Sequence, residues 1–121
     1  MDESMQSNKE LSKIEKQIID HFIFLPAIRL ALNHDRKIII ASNPKFKEEY
    51  IKYIDEAIHR VVAAMRKNKD DIFDHHIRMT RKSWFEYDVY IRGQLIHVKY
   101  HKSVAAEWIY NQIEYYLNKQ D

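Results

Sequence analysis

Between positions 75 and 102 the chain sets six basic residues, Arg78, Arg81, Lys82, Arg92, Lys99 and Lys102, against two acidic ones, Glu86 and Asp88. Four of its seven histidines, His75, His76, His97 and His101, fall in the same block. The flanking stretches are balanced or slightly acidic, so a formal net charge of +2 conceals a local excess. Three chemistries could use these residues. Imidazoles can hold a metal, carboxylates with a lysine can gather a divalent ion and a water, and clustered cations can bind phosphate. Spacing argues against the first. His75 and His76 would point to opposite sides of a strand, and His97 and His101 would lie about 13 Å apart along one. No metal site and no cofactor is expected. Zero cysteines exclude disulfides, cysteine zinc sites, iron–sulfur clusters and thiol catalysis, and a single glycine excludes phosphate loops, dinucleotide fingerprints and nucleophile elbows. A basic surface remains. The candidate anion or nucleic-acid site is Arg78, Arg81, Lys82, Arg92, Lys99 and Lys102, with Tyr90 as an aromatic contact on the same polar face.

The elements that must position these residues are legible from periodicity. Phe85, Tyr87, Val89 and Ile91 alternate with Glu86, Asp88, Tyr90 and Arg92. Ile96, Val98 and Tyr100 alternate with Leu95, His97, Lys99 and His101, so two half-buried strands are predicted with Gly93 in the turn between them. A further strand is predicted around His76 to Lys82. Upstream, Leu11, Ile14, Ile18, Phe22 and Leu25 form one helical stripe, with a cap at Ser7 or Asn8 and an end or kink before Pro26. A short helix from Ala27 to about Asn33 and a turn at His34 to Lys37 should follow, with Ile38 to Ala41 open between strand and helix. Asn43-Pro44 starts a long helix to about Lys67, buried along Phe46, Tyr50, Ile54, Ala57, Ile58, Val61 and Met65. Ser103 caps a last helix whose buried face is Val104, Trp108, Ile109, Ile113, Tyr116 and Leu117, widened by Ala106 and Tyr110. Trp84 and Trp108 are assigned to the core or to a dimer seam.

Three outlines resemble known families. Asp88 on one strand, His97-Val98-Lys99 on the next and Glu49 or Glu56 on the preceding helix are similar to the metal-binding hairpin of restriction-endonuclease-like nucleases. Where that family has a carboxylate before the lysine this chain has His97, a poor ligand for a hard cation, so the chain is expected not to be an enzyme. The order helix, strands, helix resembles double-stranded-RNA-binding domains, with Lys99, Lys102 and the helix opening at Ser103 at the family's phosphate contacts; the family's lysine run and its glycine- and proline-containing loop are absent. Three helices followed by a hairpin are likewise similar to winged-helix DNA-binding domains.

The expected fold is a single two-layer α+β domain over residues 8–121. It comprises N-terminal helices, a small antiparallel sheet of two or three strands and a C-terminal helix, after a disordered polar tail at 1–7. The expected function is a small non-enzymatic regulatory module that engages an anionic partner, most simply nucleic acid, through the basic hairpin. The alternative is a protein-binding adaptor or inhibitor using a tyrosine-rich surface and the last helix, either as a homodimer or encoded by a phage. The Lys-, Ile-, Asn- and Tyr-rich composition fits an AT-rich genome. A polar, acidic start and the absence of an apolar run near 20 residues predict no secretory signal, no membrane partner and a cytoplasmic location.

Overall fold

A computed structural model describes residues 11–118. The predicted tail at 1–7 and the cap at Ser7 or Asn8 lie outside these residues. Helix α1 spans Lys13–Ser42, α2 Lys47–Asp74, β1 Arg78–Ser83, β2 Glu86–Ile91, β3 Gln94–Lys99 and α3 Lys102–Asn118. The three strands form one antiparallel sheet in the order β1-β2-β3, the predicted α+β architecture with its third strand present.

Helix α1 opens on a capping box. The Ser12 hydroxyl accepts from Glu15 N at 3.0 Å while Glu15 accepts from Ser12 N at 2.9 Å, which satisfies two of the donors a helix start leaves free. It then runs unbroken for 30 residues through Pro26, correcting the predicted break, the second short helix and the turn at His34 to Lys37. A proline inside a helix costs about 3 kcal/mol. Burial on both sides of it outweighs that cost. Ile18, Ile19, Ile23 and Phe24 pack with Val89, Ile91, Ile96 and Ala105, while Leu25, Ile28 and Leu32 pack with Ile54, Ala57, Val61 and Tyr116. Ending the helix at Pro26 would separate the two clusters. The undecided Ile38 to Ala41 is the last turn of α1, closed by Asn43 in the left-handed region at φ 51°.

Asn43 therefore ends α1 and does not cap α2, which starts at Lys47 without a side-chain cap. Phe46 and Tyr50, predicted in the buried stripe, are 53% and 47% exposed, and the first buried residue of α2 is Ile54. The helix also continues past the predicted stop near Lys67 to Asp74, since Asn68 is buried and donates to the Ile18 carbonyl at 2.9 Å, and Ile72 reaches the core. Its end is a Schellman motif: Ile77 N donates to Ile72 O at 3.0 Å and His76 N to Phe73 O at 3.1 Å, with His76 at φ 54°. Glycine takes that conformation without the Cβ penalty of about 1 kcal/mol. His76→Gly is therefore expected to raise the melting temperature by roughly 3 to 5 °C, measured by thermal denaturation.

Helix α3 begins at Lys102, one residue before the predicted cap. The ring of His101 accepts from Ser103 N at 3.2 Å, so the histidine takes the capping role assigned to Ser103. Its buried residues are Ala105 and Tyr116, with Trp108, Ile109, Ile113 and Leu117 half-buried. Val104 and Tyr110, predicted inside, are 50% and 70% exposed.

Candidate anion-binding end of the sheet

Helices cover one face of the sheet, and the strand register shows what faces outward. Directly paired residues share a face, so Arg78, Tyr90 and Leu95 form one outer row and Thr80, Asp88 and His97 the next, with Glu86 and Lys99 after it. Met79, Val89 and Ile96 form an inner row. The register of β1 shifts between Arg81 and Ser83, and Lys82 within that bulge reaches the outer face to meet Asp88 at 3.7 Å.

The six predicted cations divide between two ends of this sheet. Arg78 and Arg92 lie toward the β2–β3 turn, where Arg92 and Gly93, at φ 51° and 74°, make the tight two-residue loop that twisted strands require. Arg92 is paired there with Glu15 of α1. Tyr90 is 46% exposed beside Arg78 and Leu95, a row away from His97. Arg81, Lys82, Lys99 and Lys102 gather at the other end, where the β1–β2 turn meets the β3–α3 junction through a Tyr100 N to Phe85 O hydrogen bond of 2.9 Å.

That second end also carries Trp84, expected in the core or at a dimer seam. It is 57% exposed, which excludes the core, and the Arg81 guanidinium lies 4.2 Å from its ring centroid. The turn forces this display. Phe85 adopts φ 65°, a conformation costly for a bulky residue, and its ring turns inward against Phe24 at 5.6 Å, which leaves Trp84 outside. Trp108 does join the core, stacked on Phe24 at 4.6 Å. Tyr100 is held nearby by Lys16, which donates to its hydroxyl at 2.9 Å, and by Asp20, which accepts from it; burial and that carboxylate push its phenol far above the usual range.

The middle of the outer face is not basic. His97 lies between two carboxylates, with Nδ1 2.9 Å from Asp88 and Nε2 2.9 Å from Glu86, and Glu86 also accepts from Ser83 Oγ at 2.9 Å. The Asp88 bond, aided by Glu86, raises the histidine above its ordinary value of 6.5, while the same bond and Lys82 hold Asp88 below its own. A raised folded value means that His97 adds stability fully below pH 6.5 and loses it as pH rises through the folded value; the lowered Asp88 loses its share as pH falls through its own. The pairing is therefore strongest in mildly acidic solution. An NMR titration should give His97 a midpoint above 6.5 that returns to 6.5 in Glu86→Gln/Asp88→Asn, and an unshifted midpoint in the unmodified chain contradicts the bridge.

Asp88, His97 and Lys99 thus share a hairpin as the nuclease outline requires, but His97 engages the carboxylates itself. Among the described residues no three His, Cys, Asp or Glu side chains are grouped to hold a metal ion. Two grooves lie away from this hairpin: one of about 520 Å³ beside His59, Arg60 and Tyr115, and one of about 450 Å³ beside His21, Asn68 and His75. Among the described residues no helix is long and apolar enough to cross a membrane.

No curated protein and no solved structure matches the chain. A family model described as YhjD protein matches residues 10–121, which takes in every described element, and the chain belongs to the YhjD protein family.

Proposed function

We propose that this chain is a small non-enzymatic regulatory module that binds an anionic partner, most simply nucleic acid, through Arg81, Lys82, Lys99 and Lys102. The observation that carries the reading is that all four belong to one end of the sheet, Arg81 by register on the row of Tyr87 and Val98 and Lys82 and Lys99 on the outer face, with the Arg81 guanidinium 4.2 Å from the ring of the exposed Trp84. Cations beside an accessible π-surface are the combination that backbone phosphates and bases both reward. Arg78 and Arg92, at the far end, fall outside the proposed contact.

Four phosphate contacts set the salt dependence. At about 0.7 counterions released per contact on a single strand, or about 0.9 on duplex DNA, raising salt fourfold weakens binding roughly 50- to 150-fold. Fluorescence anisotropy with labelled duplex DNA, single-stranded DNA and double-stranded RNA at about 50 and 200 mM salt measures this directly. No binding to any of the three at the lower salt overturns the reading.

One feature favours the second reading, a protein-binding adaptor. Ile38, Ile40, Phe46, Tyr50 and Tyr53 are all exposed around the α1–α2 turn, beside a small cavity of about 180 Å³ lined by Leu32, Ile39, Ile54 and Leu117. Apolar clusters of this kind mark protein contacts. On that reading the complex, or a homodimer, tolerates salt, and a monomer at every concentration in light scattering with no captured partner counts against it.

A further inference from the structure

Resting on the nucleic-acid reading of the same basic end, we propose that the site selects single-stranded over double-stranded nucleic acid by stacking an unpaired base on Trp84. A base can stack on a side chain only if it has left its own helix, so an indole held out at a turn rewards unpaired strands and offers a duplex nothing. Trp84 is held in this way. Phe85 anchors the turn against Phe24 and Tyr100, and Arg81 lies over the indole at 4.2 Å while more than half of the side chain stays in solvent. Arg81 lies against it, and Lys82, Lys99 and Lys102 belong to the same end of the sheet, within reach of a strand that continues past the stacked base.

The remaining surface fits a duplex poorly. Groove recognition calls for a helix or ribbon that presents cations in series. The first turn of α3 carries Lys102 as its sole cation, and the exposed positions at the start of α2 are mostly acidic, as in Glu48, Glu49, Lys52 and Glu56. On the sheet's outer face Asp88 lies between the two groups of cations and disfavours a backbone laid across the centre, while Glu86 is the cross-strand neighbour of Lys99 at the turn end.

The test compares a labelled oligothymidylate with a duplex of equal length by anisotropy at low salt, for the unmodified chain and Trp84→Ala. The single strand should bind at least about 10-fold tighter, and Trp84→Ala should cost it about 5- to 150-fold while leaving duplex binding unchanged. Because Trp84 is exposed, circular dichroism should show the variant folded. Trp108 is stacked in the core, so quenching of the tryptophan emission by the oligothymidylate reports on Trp84. Equal binding of both forms, or tight single-strand binding that ignores Trp84→Ala, overturns this inference and leaves the basic module standing. No binding to either form overturns both.

Discussion

Phe24→Ala is expected to cost about 3 to 5 kcal/mol, the largest loss available from one side chain in this fold. Phe24 is fully buried and joins three parts of the molecule: Phe85 of the β1–β2 turn at 5.6 Å, Tyr100 after β3 at 5.0 Å and Trp108 of α3 at 4.6 Å. Truncation removes the transfer energy of the ring and leaves a cavity that four elements border. Domains of this size are stable by about 5 to 15 kcal/mol, so the variant keeps between nothing and about four fifths of its margin. Thermal denaturation should show a midpoint lower by about 10 to 20 °C. A drop of only a few degrees would mean that the aromatic cluster does not join sheet to helices. The same variant frees Phe85 from its inward anchor, so Trp84 should become more mobile in fluorescence anisotropy decay.

The second large effect concerns binding. Replacing Arg81, Lys82, Lys99 and Lys102 together by glutamine should lower affinity for an oligonucleotide at about 50 mM salt on the order of 100-fold and flatten the salt dependence. The matched control replaces Lys13, Lys52, Arg66 and Lys69, exposed on α1 and α2, and changes net charge equally. If affinity depends on total charge alone, the two variants weaken equally. If it depends on the proposed end of the sheet, the control retains most of the affinity and the slope.

Much of the fold was legible because local and tertiary preferences agree in it. Alternation from Phe85 to His101, broken at the chain's single glycine, left one pairing open to the hairpin, and the third strand continued its pattern. The errors fall where packing overrides a local signal. Pro26 and the polar run at 67–71 are breakers read alone, yet each sits inside a helix whose later residues, Ile28 and Leu32 in one case and Ile72 in the other, are needed by a core built from distant segments. Phe46 and Tyr50 fit a helical period but precede the first buried residue of α2, Ile54.

The candidate site was half legible. Strand alternation already put Glu86 and Asp88 on the polar face, but counting charge over the whole block hid that Asp88 lies between its two halves and Glu86 beside Lys99. The pairing of Arg92 with Glu15 joins residues 77 positions apart and left no local trace. That Trp84 stands outside the core has a conformational reason. A turn with positive φ is normally announced by glycine or asparagine, and here that backbone falls on Phe85, whose aromatic character pointed to core.

The central claim is a location, so the most direct measurement is a chemical-shift map of the isotopically labelled chain titrated with a short oligothymidylate. The account predicts perturbations confined to residues 81–86 and 99–104, with the Trp84 indole N–H among the largest and the β2–β3 turn around Arg92 unmoved. Perturbations centred on that turn or on the exposed apolar cluster between α1 and α2, or none at low salt, would contradict it.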